Sequence, residues 1–171
     1  MEKFDIYDHY GRQTGKTSAR GSNLKKGEYF PVVHIWIKDQ DGSFLIQQRA
    51  KKTDPVPYQW AIASGLVQSG ESPIESAIRE TREEIGLSFN EDDLKLLNKV
   101  VTSEGRYQTI TYIYLIETTI DQSKIVLDKE EVLNIQKVSL QTIKKMIQEN
   151  TFWDYPKLLR FNEYFSLLES S

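Results

Sequence analysis

The segment 65–87, GLVQSGESPIESAIRETREEIGL, constrains the fold of this chain more than any other part of the sequence. Ser72 and Glu75 have the spacing of a capping box, and the proline between them suits the first position of a helix. Gly86 is placed for a left-handed residue that ends the helix. We therefore expect a loop followed by a helix from Pro73 to Ile85.

One stripe of this predicted helix is apolar, because at about 100° per residue its apolar side chains return to the same face. The stripe consists of Ile74, Ala77, Ile78, Thr81 and Ile85. Glu80, Glu83 and Glu84 fall together beside it, so their carboxylates project into one region of space. Glu80 and Glu84 are like charges four residues apart, which destabilises a helix by roughly 0.2 to 0.5 kcal/mol. A divalent cation would remove this conflict.

The chemistry of these carboxylates favours a hard metal ion. Oxygen ligands without a nearby histidine or cysteine suit magnesium or manganese better than zinc or copper. Magnesium keeps part of its hydration shell and binds substrate phosphates. The cluster therefore indicates phosphate chemistry, and a solvated acidic helix face is the alternative interpretation of the same residues.

The same segment resembles the signature of the Nudix hydrolases, in which glycine, glutamate and arginine recur at fixed offsets. The matching residues are Gly65, Glu71, Arg79, Glu80, Glu83, Glu84, Gly86 and Leu87. The sequence departs from the usual pattern in two places. Thr81 replaces an aliphatic residue, and Ala63 and Ser64 stand where many members have Pro-Gly. A threonine methyl group can still face the core, so we retain the helix. The resemblance covers residues 28 to 150.

The resemblance implies an α/β/α sandwich around a mixed sheet, with Mg²⁺ or Mn²⁺ bound by four groups. These groups are the carboxylates of Glu80, Glu83 and Glu84 and the backbone carbonyl near Gly65. Through the metal, Glu80 and Glu83 are also the leading catalytic candidates. In the family the arginine and the earlier glutamate pair with each other, so Arg79 and Glu71 are expected to orient the metal ligands.

A general base or an extra metal ligand usually lies outside the signature in this family, and its position varies. Glu131, which precedes a predicted strand and helix, is our first candidate for the base. Glu104, on a loop between two strands, is the second, and an ordinary surface position is the alternative for each. Cleavage of a diphosphate requires cations that neutralise its oxygens while a water is aligned for in-line attack.

Contacts to the substrate are expected at Arg49 and Trp60. Arg49 ends a predicted strand where phosphates could dock, next to Lys51 and Lys52, and a solvated strand end is the alternative. Trp60 follows a rigid loop that contains two prolines and precedes the signature. It is therefore the first of several aromatic residues that could stack on a base, and a core position is its alternative.

The remaining segments predict a mixed sheet with helices against it. Strands are expected at 4–7, 31–38, 43–49, 94–103, 107–119 and 135–138, with a hairpin turn at 39–42. Ser139 is expected to cap a helix that runs through Gln148, and an amphipathic helix is expected at 156–168. A polar stretch that ends at residue 20 is expected to wrap the main body.

Length and composition favour one domain. A chain of 171 residues with 39% hydrophobic residues can bury one core. We expect a single domain over 1–171, with an N-terminal extension at 1–27 and a C-terminal helix at 155–171.

The net charge of -3, without a basic block, argues against nucleic acid as a partner. The sequence has no cysteine, no long apolar run and no signal-peptide pattern, so no membrane association and a cytoplasmic location are expected.

Three classes of function follow from these observations. The leading one is a metal-dependent hydrolase that cleaves a diphosphate linkage in a nucleoside diphosphate derivative by attack of water on phosphorus. Residues 34–50 and Trp60 also resemble the branch of the superfamily that includes isopentenyl diphosphate isomerase. The isomerase cysteine is missing, however, and His9 and His34 are too few for its metal site. The third class is a nucleotide-binding regulator that kept the fold without turnover.

The identity of the nucleoside diphosphate derivative stays open at this stage. Nucleotide sugars, dinucleotides, plain nucleoside di- or triphosphates and coenzyme derivatives are all candidates. The oligomeric state stays open as well. Members of the family are often dimeric, so a homodimer is one candidate, and exposed aromatic residues of the C-terminal helix would suit its contact.

Overall fold

A computed structural model of the chain describes residues 2–50, 56–104, 107–155 and 161–171. The strands within these ranges are β1 Lys3–Tyr7, β2 Gln13–Ala19, β3 Phe30–Asp39, β4 Phe44–Arg49, β5 Trp60–Ala61, β6 Ala63–Leu66, β7 Leu94–Glu104, β8 Tyr107–Thr118 and β9 Val132–Val138. The α-helices are α1 Pro73–Ile85, α2 Leu140–Gln148 and α3 Phe161–Glu169. Short 3-10 turns occur at Glu91–Asp93 and Gln122–Lys124.

The central sheet has seven strands of mixed direction. Its order is β5-β4-β3-β8-β7, with β6 paired to β3 and β9 paired to β4. β3 and β8 run parallel, and the other pairs in this sheet are antiparallel. β1 and β2 form a separate two-stranded sheet, which a bridge between Tyr7 and Tyr29 connects to the segment before β3.

β3 changes its neighbour along its length. It pairs with β6 over residues 32–35 and with β4 at Lys38, while β8 pairs with its other edge. β4 and β6 therefore lie on the same side of β3 and diverge, which leaves a gap in the sheet between them.

Apolar side chains on the two faces of the sheet form two cores. The front core lies between the sheet and α1, and the back core lies between the sheet and α2 with α3. The front core includes Val33, Ile35, Ala77, Ile85 and Ile110, and the back core includes Trp36, Ile113, Ile143, Phe165 and Leu168. This separation follows from the alternation of side chains along β3. Helices on both faces make the fold an α/β/α sandwich around a mixed sheet, as predicted.

The predicted elements are largely confirmed, including α1 at its predicted bounds and the hairpin between β3 and β4. β2 was not predicted, because the residues of Gln13–Ala19 are mostly exposed and polar and lack the apolar alternation of a half-buried strand. β9 begins at Val132, earlier than expected. The predicted C-terminal helix is present over its described part, and residues 156–160 lie outside the described ranges.

The helices turn their apolar sides toward the sheet. Tyr164 and Phe165 of α3 are each 2% exposed and belong to the back core. They are therefore not the exposed aromatic contact that we expected, and the homodimer stays a prediction. In the described part of the chain, no helix is both long enough and apolar enough to cross a membrane.

Candidate active site

The ends of α1 are fixed by local hydrogen bonds. The Ser72 side chain accepts a bond from the Glu75 amide, and the Glu75 carboxylate accepts a bond of 2.8 Å from the Ser72 amide. This is the predicted capping box. Gly86 ends the helix with a φ of 73°, a left-handed conformation that glycine adopts without strain. Thr81 is fully buried, and its hydroxyl donates to a carbonyl of the preceding turn, so the departure from an aliphatic residue leaves no unpaired polar group.

Arg79 binds acidic side chains in two directions. Its Nε and Nη2 atoms donate to the two carboxylate oxygens of Glu71 at 2.7 and 3.1 Å. Its Nη1 atom donates to Glu80 at 2.8 Å and to Glu83 at 3.0 Å. The Arg79 side chain is 13% exposed, so these bonds are partly shielded from water. The expected pair of Arg79 and Glu71 is present and connects the loop before α1 to the helix. Its role in orienting metal ligands stays a prediction.

Gly65 lies directly against the Glu80 carboxylate. A Cβ atom at this position would collide with the end of the Glu80 side chain. Because Gly65 has no side chain, the Glu80 carboxylate can pack directly against the backbone of β6. Room for Glu80, and not a positive φ, is therefore what a glycine provides at this position, and a larger residue would displace the carboxylate.

Glu84 and Glu80 are carboxylates in a partly buried environment. Burial raises the pKa of Glu84 to about 8, and the nearby negative charge of Glu80 adds to this effect. Burial also raises the pKa of Glu80 to about 7, although Arg79 opposes the shift. The Gln47 side chain donates a hydrogen bond of 2.7 Å to Glu84. For both carboxylates, the nearby positive charge therefore does not offset the rise in pKa that burial causes.

These side chains form one continuous surface, which we call the acidic wall. It consists of Gly65, Glu71, Arg79, Glu80, Glu83 and Glu84. All but Glu71 line a cavity of about 540 Å³. The cavity opens at the gap between β4 and β6, because Gln47 and Arg49 of β4 line it together with residues of β6.

The other predicted site residues fall into two groups. Glu131 and Arg49 line the cavity, and Glu131 is close enough to Glu84 to raise the pKa of that carboxyl. The Arg49 guanidinium lies 4.9 Å from the ring centre of Trp153, which also lines the cavity. Trp60 is not among the residues that line it and packs against the back core. Glu104 ends β7, and its side chain lies outside the part of the chain that the structure describes.

The donor groups of the acidic wall are all oxygens, which suits a hard divalent cation. Glu80 and Glu83 both accept hydrogen bonds from Arg79. Among the described residues, no three acidic or histidine side chains converge as a ready-made metal site. The chemistry of the donors therefore fits magnesium, whereas their present arrangement is organised around the arginine.

Sequence reasoning missed several residues of the cavity, above all Gln47, His34 and Tyr155. Gln47 is 6% exposed although it is polar, and its position inside a buried strand could have drawn attention to it. His34 is one of two histidines in the chain, and no motif in the sequence assigns it to the site. Tyr155 and Trp153 follow α2 in the chain, and no local pattern places Tyr155 beside His34 of β3 or Trp153 beside Arg49 of β4.

Comparison with known proteins identifies relatives of the chain. The family model described as NUDIX domain matches residues 28–161. The uncharacterized Nudix hydrolase lmo0368 of Listeria monocytogenes is 29% identical over 156 residues, which cover 91% of this chain and 90% of that protein. The ADP-ribose pyrophosphatase of Bacillus subtilis is 28% identical over 141 residues, which cover 82% of this chain and 72% of that protein.

A solved structure has the same fold. The crystal structure of DR0079 from Deinococcus radiodurans superimposes with a TM-score of 0.75 and 17% sequence identity, and the match covers 93% of this chain and 98% of that one. At this identity the similarity concerns the fold. It agrees with the mixed sheet and flanking helices described above.

Proposed function

The chain belongs to the NUDIX family of hydrolases, and on this basis we propose that it is a metal-dependent enzyme that cleaves a diphosphate linkage in a nucleoside diphosphate derivative by attack of water on phosphorus. The observation that carries the proposal is the acidic wall. It presents three glutamates, one arginine and a side-chain-free backbone position to a single cavity. Arg49 and Glu131 lie in the same cavity, where a phosphate contact and a proton acceptor are needed.

Mg²⁺ or Mn²⁺ would be held by Glu80, Glu83, Glu84 and the backbone carbonyl of Gly65. When bound, the ion neutralises charge on the diphosphate oxygens and lowers the pKa of the attacking water. The structure supports this assignment through the partial burial of Glu80 and Glu84 and the negative charge that raises the pKa of Glu84. A buried carboxylate without full compensation is stabilised by a cation.

The side chains around the acidic wall have separate tasks in this proposal. Arg79 holds Glu80 and Glu83 in place, and Glu71 fixes the guanidinium through two hydrogen bonds. Arg49 binds a phosphate oxygen of the substrate, with its guanidinium supported by Trp153. Glu131 accepts the proton of the attacking water, and Glu104 is the second candidate for that role.

We also propose that residues 1–171 form a single domain, in which the N-terminal extension is part of the site. Glu2, Phe4 and Arg20 of the N-terminal extension line the same cavity as the acidic wall. The extension at 1–27 therefore contributes to the site from within the same domain. The C-terminal helix contributes to the back core behind it.

The proposal is tested by incubating the protein with Mg²⁺ and a panel of nucleoside diphosphate derivatives, followed by mass analysis of the phosphorylated products. ADP-ribose comes first in the panel, because one relative is named an ADP-ribose pyrophosphatase. We expect Glu83→Gln to lower turnover by roughly 100-fold or more, because it removes a charge that the reaction requires. Glu91→Gln makes the same change on an exposed 3-10 turn and serves as the matched control. Tight binding without turnover, or equal turnover by Glu83→Gln, would contradict the proposal.

A further inference from the structure

His34 lies on β3 and faces away from helix α1. It alternates along the strand with Val33 and Ile35 of the front core, so its side chain is on the back face of the sheet. The residue is 6% exposed and lines the cavity. Ser64, its partner in register on β6, lines the same part of the cavity wall.

A hydrogen-bond chain from the back core fixes one ring nitrogen of His34. Trp36 Nε1 donates to the Tyr164 hydroxyl oxygen at 2.6 Å, and an indole N–H can only donate. The Tyr164 hydroxyl therefore keeps its own proton for a second bond, and its other partner is His34 Nδ1 at 3.4 Å. Tyr164 is 2% exposed, and a buried hydroxyl proton without an acceptor is costly. His34 Nδ1 is thus the acceptor of the pair.

The second ring nitrogen of His34 is left as a donor. Burial lowers the pKa of His34 to about 3, so the imidazole is neutral at neutral pH. A neutral imidazole carries one proton, and with Nδ1 as acceptor the proton resides on Nε2. No described residue forms a hydrogen bond with Nε2. The cavity that His34 lines is therefore where this N–H group finds its acceptor.

Tyr155 provides a second unpartnered group beside the first. Its ring centre lies 4.5 Å from that of His34, and the residue is 1% exposed. Among the described residues its hydroxyl has no hydrogen-bond partner of good geometry, although the Ser64 hydroxyl and the Ile62 backbone are close enough to lower its pKa. A polar atom that is buried without a partner needs an explanation, and a ligand in the cavity supplies one.

We propose that His34 Nε2 and the Tyr155 hydroxyl form a neutral subsite that binds an uncharged polar group on the organic part of the substrate. The inference rests on the proposed hydrolase function and extends it to substrate recognition. Both side chains are uncharged at neutral pH, so a charged group at this position would be desolvated without a counter-charge from them. The Trp153 ring centre lies 4.6 Å from that of Tyr155 and 4.9 Å from the Arg49 guanidinium, which places the neutral subsite close to the proposed phosphate contact.

The uncharged group belongs either to the nucleobase or to the sugar, since a carbonyl oxygen, a ring nitrogen and a hydroxyl oxygen can each accept a bond from His34 Nε2. The test therefore uses ADP, GDP, CDP and UDP together with their 2′-deoxy forms. Dissociation constants are measured by calorimetry, and KM and kcat are measured for every compound that turns over. If Tyr155→Phe loses the preference of the wild type among bases, the subsite binds the nucleobase. If it loses the preference for ribo over 2′-deoxy forms, the subsite binds the sugar.

Tyr155→Phe is the sharpest variant, because it removes only the hydroxyl. We expect the dissociation constant and KM of the preferred nucleotide to rise about tenfold, with kcat changed less than about twofold. The melting temperature should not fall, because the hydroxyl makes no good hydrogen bond in the protein. Tyr114→Phe makes the same change in the front core, outside the cavity, and should leave affinity unchanged. Unchanged affinity and KM for all eight nucleotides in Tyr155→Phe would overturn the proposal.

Nuclear magnetic resonance of the ¹⁵N-labelled imidazole tests the donor directly and independently of turnover. We expect the His34 proton on Nε2 in the wild-type protein. Tyr164→Phe should shift the proton toward a mixture of the two nitrogens, because it removes the bond to Nδ1. A wild-type spectrum with the proton on Nδ1 would contradict the inference. If neither these nucleotides nor the derivatives of the first panel are hydrolysed, the hydrolase proposal fails, whereas the calorimetry and the spectrum still decide whether the neutral subsite exists.

Discussion

The acidic wall and the neutral subsite line one cavity but are built in different ways. The acidic wall comes from one continuous segment, 65–87, in which a loop and a capped helix bring the charged groups together. The neutral subsite joins His34 of β3 to Tyr155, and its geometry depends on Tyr164 of α3. The comparison teaches that the groups proposed for the chemistry are specified locally, whereas the groups proposed for substrate recognition depend on the assembled fold.

The largest effect that would sharpen this contrast is expected from Gly65→Ala. The added Cβ meets the flexible end of Glu80, which can move aside, so the fold should tolerate it. The displaced carboxylate should lower turnover roughly 100-fold, the cost expected for a misplacement of about 1 Å in an active site. Turnover and melting temperature are measured on the same preparation. A variant that keeps wild-type turnover would show that the contact between Gly65 and Glu80 has no role in the reaction.

The second-largest effect concerns the response of the two regions to acid, measured as the pH dependence of the free energy of unfolding. The pKa of His34 falls from 6.5 to about 3 on folding, so the unfolded chain binds a proton that the folded chain does not take up. The contribution of neutral His34 to the free energy of unfolding is fully present above pH 6.5 and is lost as the pH falls from 6.5 toward 3. At pH 5 the free energy of unfolding should be lower by about 2 kcal/mol from this residue alone.

This dependence is measured by urea unfolding of the wild type and of His34→Gln at several pH values. Glu80 and Glu84 have raised pKa values and act in the opposite direction, but they are present in both proteins. The difference between the two proteins therefore isolates His34. Parallel pH profiles would mean that His34 is protonated as readily in the folded chain as in the unfolded one.

A smaller effect is expected from Glu71→Gln, which tests the support of the acidic wall. The substitution keeps the shape of the side chain but weakens the two hydrogen bonds to Arg79 that now measure 2.7 and 3.1 Å. We expect turnover or metal affinity to fall about tenfold, as is typical when a group that orients metal ligands is removed. The measurement is turnover as a function of Mg²⁺ concentration, with Glu91→Gln as control. If the metal dependence is unchanged, the pair of Arg79 and Glu71 serves only the fold.

The sequence allowed α1 and its surroundings to be predicted because their determinants are local. Ser72, Glu75 and Gly86 mark the ends of the helix through contacts within a few residues, and the structure contains each of them. The pairing of Arg79 with Glu71 could be expected from the family pattern in the same segment. The pattern of strands and helices predicted a mixed sheet with helices against it, and the family resemblance refined this prediction to an α/β/α sandwich.

The parts that could not be predicted depend on contacts between distant segments. The position of Trp60 before the signature favours a stacking role, yet Trp153 is the tryptophan that lines the cavity. The gap between β4 and β6 arises from pairing along β3, which the local pattern does not reveal. The polar strand β2 escaped prediction because pairing with β1, and not burial, defines it.

Binding of Mn²⁺, followed by electron paramagnetic resonance, tests the central claim most directly, namely that the acidic wall holds a divalent cation. The signal of free Mn²⁺ is recorded while wild-type protein is added, and the same titration is made with Glu80→Gln and with Glu91→Gln. The account predicts that the wild type and Glu91→Gln remove the free signal, whereas Glu80→Gln binds at least tenfold more weakly. Equal binding by all three proteins would contradict it.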